Sequence, residues 1–265
     1  DELASALYYG PSTSTGDGVI MATADGINAA TRLMEYGKRY PNGVEVSKGI
    51  AKSTIAGNIA GWTMSAILVN AEGERVVNEK ASNRTILEAE LAQTGSELFL
   101  LMDSETFNVW KTKLAAAGLT EETIDGYVAA NGTTTPVFAH GDTLEEVAAA
   151  AGVNGENLVK TVERYNGFVA AGNDEDFGRS ADYMTMAIGD GPYYLVEQKP
   201  RFATTMGGLV VNASLQVENT DGDVIPGLYA AGEVVGGVMG DDSPSGANNG
   251  WALTAGKLAA EAIAE

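Results

Sequence analysis

Ile225-Pro226-Gly227-Leu228-Tyr229-Ala230-Ala231-Gly232-Glu233-Val234 is the stretch on which the reading of this chain turns. A short apolar run leads straight into Gly-Glu, and Gly236-Gly237 follows. Glycines at a strand end let the backbone approach a flat ligand. A carboxylate there accepts hydrogen bonds from hydroxyls. The same residues also describe a tight turn closing a core strand, and spacing alone does not separate the two readings.

Three further segments work outward from it. Upstream, Thr204-Thr205-Met206-Gly207-Gly208-Leu209-Val210-Val211 sets two glycines before an apolar strand, which suits close packing on a flat partner or a plain strand entry. Downstream, Ser245-Gly246-Ala247-Asn248-Asn249-Gly250-Trp251 opens a helix rich in small residues. N–H groups at a helix start favour an electron-rich ligand edge, although an Asn cap on an ordinary helix reads the same way. Near the start, Thr15-Gly16-Asp17-Gly18 precedes a helical pattern and suits a phosphate or a sugar.

Composition bounds the rest. The 265 residues suffice for one large domain or two small ones. With 45% apolar and 20% charged residues the chain is globular rather than disordered. Glycine, at 33 residues, is well above the roughly 7% average, so the chain turns often. A formal charge of -20 repels nucleic acid and anionic membranes. The absence of cysteine excludes disulfides, thiolate metal sites and a covalent Cys nucleophile. A single histidine, His140, argues against a histidine-based metal site or triad. No apolar run reaches the roughly 20 residues of a membrane span, and none of the residues from Asp1 onward reads as a signal peptide.

Periodicity predicts a helix from about 19 to 36, with Ile20, Ala24, Ile27, Ala30 and Leu33 on one face. Tyr40-Pro41-Asn42-Gly43 reads as a break and a domain boundary. Residues 66–78 read as a hairpin about Glu72-Gly73. Helices are expected near 84–93, 104–117, 121–129, 143–150 and 155–171, with Asp103, Thr120 and Asn154 as N-caps, so the middle of the chain should be mostly helical. Strands are expected at 193–197, 208–212, 216–218 and 228–230, then a last helix over about 249–265. Asn173-Asp174-Glu175-Asp176 and Asn219 to Asp223 read as solvated turns, His140 as a loop residue, and Trp62, Trp110 and Trp251 as packing residues.

Taken in order, T-M-G-G, I-P-G-L-Y-A-A-G-E and the Gly/Asn turn into A-G-K-L-A-A-E resemble the C-terminal pattern of FAD-dependent fumarate reductase and succinate dehydrogenase flavoproteins. The likeness is greatest to the single-chain flavocytochrome c type, which includes urocanate and methacrylate reductases, with ketosteroid dehydrogenases as relatives. Thr15-Gly16-Asp17-Gly18 resembles the family's T-G-D-G, and Ile67-Leu68-Val69-Asn70 to Glu79 its I-L-V-N-x-x-G-x-R-F-V-N-E. The resemblance implies an α+β protein in which a mostly helical capping (substrate) domain, residues 39–205, interrupts an incomplete Rossmann-like FAD-binding domain, residues 1–38 and 206–265. The cap would be mobile and close over substrate. The family's dinucleotide-binding G-x-G-x-x-G would lie upstream of Asp1, so this chain is expected to be truncated, to bind FAD weakly or not at all, and to be inactive by itself. Thr15, Gly16, Asp17, Gly207, Gly232, Glu233, Asn248 and Asn249 are the implied cofactor-binding residues. Glu233 would lie near the ribityl chain and the two asparagines near the pyrimidine end of the flavin.

The sequence also departs from the family. The family's proton-donating arginine falls at Asn83, beside Arg84. Its histidine before T-M-G-G becomes Thr204, and an arginine before the last helix falls near Ser243. Segment 52–66 lacks the expected Thr-Glu pair. The dicarboxylate clamp is thus mostly missing, so the implied substrate is an α,β-unsaturated acid or ketone other than fumarate. Such chemistry moves a hydride between flavin and the alkene, with an acid and an oxyanion donor nearby. Arg84, Tyr193, Tyr194 and Arg201 are the catalytic candidates. The competing expectation is a non-catalytic acidic interaction domain derived from the family; the retained glycines favour the enzyme. The electron donor stays unidentified. The family's bacterial members are often exported, which favours the cell envelope over the cytoplasm.

Overall fold

Leu98-Phe99-Leu100-Leu101-Met102 is apolar at every position, the pattern of a strand covered on both faces. The structure, a computed structural model that describes residues 3, 5–244 and 246–264, forms the strand Leu98–Asp103 there. It lies inside a seven-stranded mixed sheet with the order Leu7–Tyr8, Ile50–Ser53, Gly37–Ser47, Tyr193–Thr205, Leu98–Asp103, Ile67–Val69. The seventh strand, Phe138–Gly141, pairs with Tyr193–Thr205. Alternation along the strands divides the core in two. Leu68, Leu98, Leu100, Met102, Phe138 and Val196 join one cluster with Trp110 and Ile86. Ile67, Val69, Phe99, Leu101, Ala139 and Leu195 join the other with Tyr165 and Phe168.

The chain divides into two compact units, Ser5–Tyr9 with Arg39–Arg201, and Asp1–Ala4 with Gly10–Lys38 and Phe202–Glu265. The first unit carries the sheet and six α-helices among the described residues, Ile55–Gly61, Asn83–Leu91, Ser104–Lys111, Glu121–Ala130, Leu144–Ala151 and Gly155–Ala171. The three expected N-caps are in place. Asp103 accepts from Thr106 N–H at 2.9 Å, Thr120 from Thr123 N–H at 3.2 Å and Asn154 from Asn157 N–H at 3.1 Å. The second unit is built from small sheets. Thr31–Arg32 pairs with Gly208–Leu209, and Gln216–Glu218 pairs with Val224–Tyr229. The helix Ala247–Ala264 buries Ala255 and Ala259.

Several expectations give way. The middle of the chain is sheet and helix rather than mostly helix, because the strand at 98–103, buried on both faces, carries no period-2 signal and the four-residue strands at 50–53 and 138–141 are too short and mixed to show one. His140 therefore belongs to a strand. The helix expected over 19–36 is confined to Asp17–Ala22. Beyond it Gly26, Asn28 and Leu33 take positive φ, and Ala30 N–H donates to Glu218 O at 2.8 Å, which a helix would forbid. Pro41 sits inside the strand Gly37–Ser47. It is tolerated because the ladder to Ile50–Ser53 begins only at Gly43. The hairpin expected over 66–78 forms only next to its turn at Gly73, where Val69 bridges Arg75 and Asn70 N–H donates to Glu74 O at 3.0 Å; along its length Ile67–Val69 pairs with Leu98–Asp103. Arg75 instead turns inward to Glu79 and Asp174. Asp174 is consequently 5% exposed and not part of a solvated turn.

Candidate cofactor site

The unit containing Phe202–Glu265 encloses a cavity of about 300 Å³. Three segments separated in sequence supply its lining. Thr204, Thr205 and Met206 come from the end of the strand Tyr193–Thr205 and the residue beyond it. Gly232, Glu233 and Val235 come from a 3-10 turn and its exit. Asn248, Asn249, Trp251 and Ala252 come from the first turns of the last helix, and Val238 and Met239 complete the wall.

Close backbone packing makes this arrangement possible. A Cβ on Gly207 would lie 2.6 Å from Met34 Cα. A Cβ on Gly208 would collide with Val234 O and approach Gly236 N to 2.6 Å, and one on Gly236 would come as close to Gly208 O. These glycines thus serve chain-on-chain approach rather than direct contact with a ligand. Gly232 differs. Its φ is +76°, and its carbonyl accepts from Trp251 Nε1 at 3.0 Å. That bond ties the Gly-Glu turn to the helix and sets the indole as a wall of the cavity.

Of the eight expected cofactor residues, Gly232, Glu233, Asn248 and Asn249 line the cavity. Thr15, Gly16, Asp17 and Gly207 do not. The Thr15 hydroxyl donates to Asp17 Oδ1 at 2.9 Å, and Gly16 takes φ +78° before the helix Asp17–Ala22. Gly18 places this turn against Val234, where a Cβ would be 3.1 Å from Cγ2. Ser243, where the resemblance expects an arginine, is 6% exposed. Its carbonyl accepts from Lys38 Nζ, which also pairs with Asp242 at 2.7 Å. The sequence reading missed Val235, Val238, Met239 and Ala252 as lining; Trp251 carried a signal, since it follows the Asn pair by one helical turn.

The four catalytic candidates lie in the other unit. Arg84 is 82% exposed at its side chain and pairs with Glu88 at 3.2 Å. Tyr194 stacks on Phe107 with ring centroids 3.8 Å apart and planes at 5°. Tyr193 is half-buried, and burial, with Asp190, Asp103 and Glu145 behind it, raises its hydroxyl above the ordinary value. Arg201 is 6% exposed, with its guanidinium between the rings of Tyr9 and Tyr40. The structure does not gather all four. Arg84 is on a helix surface and Tyr193 and Tyr194, as strand neighbours, point to opposite faces.

The lining mixes amide and carboxylate groups with an indole and apolar side chains, the composition of a site for a flat heteroaromatic ring. A profile for the "FAD binding domain" family matches residues 1–249. The chain belongs to that family. The family's cofactor, FAD, fits the residues present in part: the cavity has the scale of a ring system, and a whole dinucleotide is larger. Fumarate reductase (cytochrome) of Shewanella frigidimarina is 34% identical over 253 residues, covering 95% of this chain and 40% of that protein. Urocanate reductase of Eggerthella lenta is 33% identical over 227 residues, covering 86% of this chain and 35% of that protein. The solved open conformation of a flavocytochrome c3 fumarate reductase matches with a TM-score of 0.73 at 29% identity, over 99% of this chain and 42% of that one. The chain thus spans about two-fifths of the length of such relatives. The resemblance to fumarate reductase flavoproteins read from the sequence is borne out.

Among the described residues no helix is long and apolar enough to cross a membrane. Among them no cluster of three or more His, Asp or Glu could hold a metal ion.

Proposed function

We propose that this chain is part of an FAD-dependent oxidoreductase acting on the carbon–carbon double bond of an α,β-unsaturated acid or ketone, other than fumarate itself. The observation that carries this reading is the convergence of Thr204-Thr205-Met206, Gly232-Glu233 and Asn248-Asn249-Trp251 on one cavity, in a chain matching the FAD family over residues 1–249. Bound there, FAD would supply reversible hydride transfer. Glu233 is exposed at the cavity and would accept from ribityl hydroxyls. Asn248 and Asn249, also exposed, would donate to the polar edge of the ring, and Trp251 would cover its apolar part. In this reading Arg39–Arg201 is the capping (substrate) domain, and the unit with Phe202–Glu265 belongs to the FAD-binding domain. The division at residues 38–39 and 201–202 supports that assignment.

Of the candidate donors, Tyr193 suits a proton-delivering role best. Its side chain is half-buried, whereas Tyr194 has its ring committed to Phe107 and Arg84 is held by Glu88. Export to the bacterial cell envelope, as read from the resemblance, belongs to the same proposal. The test uses protein expressed from its complete reading frame. Its flavin is reduced, and reoxidation is followed against fumarate, urocanate, cinnamates and enone steroids. Rapid reoxidation by one class, slowed in Tyr193→Phe, is the expected result. Bound flavin inert to every class would sink the reading.

A further inference from the structure

Arg201 differs from four other arginines of its unit. Arg75, Arg84, Arg164 and Arg179 each ion-pair with a carboxylate. Arg201 pairs with none among the described residues, in a chain with 36 acidic side chains. It is nevertheless 6% exposed. A buried guanidinium without an anion bears its desolvation uncompensated, and burial does lower its affinity for the proton, with Tyr9 and Tyr40 opposing the shift.

The surroundings hold the group in place. Its carbon lies 4.5 Å from the Tyr9 ring centroid and 4.8 Å from that of Tyr40. Nε donates to Asn42 Oδ1 at 2.9 Å and lies 3.4 Å from Asn42 O. Gly43 leaves the side chain room, since a Cβ there would press to 3.1 Å on Arg201 Cβ. Two aromatic rings and one amide oxygen therefore hold the guanidinium. Nη1 and Nη2 hydrogen-bond to nothing among the described residues. Asn42 Nδ2 nearby is also buried without an acceptor, so the neighbourhood is rich in donors and short of acceptors.

We propose that Arg201, clamped by Tyr9, Tyr40 and Asn42, is a carboxylate receptor that takes one planar carboxylate through Nη1 and Nη2. The paired N–H groups of a guanidinium match the two oxygens of a carboxylate. One such fork, with no second unpaired arginine beside it, selects a monocarboxylate over a dicarboxylate. The proposal deepens the reading given under Proposed function and rests on it for the link to an unsaturated acid. The site itself does not require flavin.

The experiment titrates the protein with benzoate, and with benzamide as a neutral isostere, by calorimetry. Benzoate is expected to bind about tenfold or more tightly than benzamide, the size of a charge-assisted contact. Arg201→Gln should remove that preference, and Arg201→Lys should keep only part of it. If Arg201→Gln does not fold, Asn42→Asp answers the same question. It keeps the acceptor for Nε, deletes the unpaired Nδ2 and supplies an internal carboxylate, so it should weaken benzoate binding without loss of fold. Equal binding of benzoate and benzamide, or benzoate affinity unchanged in the folded variants, overturns the proposal. Flavin reoxidised by an alkene with Arg201→Gln unimpaired also overturns it, while leaving the oxidoreductase reading intact. Arg201-dependent benzoate binding in a protein whose flavin is inert to alkenes supports the receptor and sinks the oxidoreductase.

Discussion

The unit containing Arg39–Arg201 buries its charges and pairs them, whereas the unit containing Phe202–Glu265 leaves its polar site groups unpaired. In the first, Glu79 is wholly buried and joins two arginines, Arg75 at 2.9 Å and Arg179 at 3.1 Å, while Asp174 takes the other side of Arg75. Arg179 also donates to Trp62 O at 2.8 Å and Ala66 O at 3.0 Å. In the second, Glu233, Asn248 and Asn249 are exposed around a cavity, and Ile20, Met21, Leu253 and Ile263 are each more than 60% exposed. Polar groups committed to each other fix a fold; polar groups left uncommitted are available to a ligand.

The largest expected effect breaks the first side of this comparison. Glu79→Ala would leave the buried Arg179 without a carboxylate and Arg75 with Asp174 alone, and should cost about 3–5 kcal/mol. Urea denaturation of the variant should show the Arg39–Arg201 unit melting early or failing to fold. A midpoint near that of the wild type would mean that the network contributes little. Next comes the glycine packing of the other unit. Gly208→Ala forces backbone against backbone at Val234 and Gly236 and should cost about 1–3 kcal/mol, with flavin affinity falling in the same variant. Unchanged affinity would show that the cavity does not depend on this approach.

Glu90 sharpens the comparison, because it is, like Arg201, an exception within the charge-paired unit. Both of its carboxylate oxygens are buried without a partner. Burial, reinforced by the nearby Glu97, raises it well above the usual 4.5. The unfolded chain releases that proton near pH 4.5, so the residue's contribution is full below that value and is lost as pH rises toward the folded one. Glu90→Gln removes this dependence, and its stability relative to wild type should improve as pH rises above about 4.5. A pH-independent difference would show Glu90 ionised in the fold. The smallest effect is expected at Arg84. Exposed and paired only with Glu88, its replacement by Ala should change stability by less than about 0.5 kcal/mol. A larger loss would reveal a contact beyond this pair.

The sequence by itself determined whatever rests on near neighbours along the chain. Asp103, Thr120 and Asn154 cap their helices through residues three positions away, and Gly73 turns after Asn70. The Gly-Glu turn and the Asn pair were also legible, because glycine and asparagine mark backbone demands that few residues meet. The tertiary structure alone decided what rests on long-range pairing. Ile67–Val69 pairs along its length with Leu98–Asp103 and meets the nearer segment only at the Val69–Arg75 bridge, since an all-apolar strand gains most by burying both faces. The exposed half of the 19–36 pattern became turns and a strand once Ala29 and Ala30 found Asn219 and Glu218. Arg201 gives the clearest case. Its identity was visible in the sequence, but its lack of a carboxylate partner among the described residues and its contacts with the rings of Tyr9 and Tyr40 arise only when segments more than 150 residues apart are brought together.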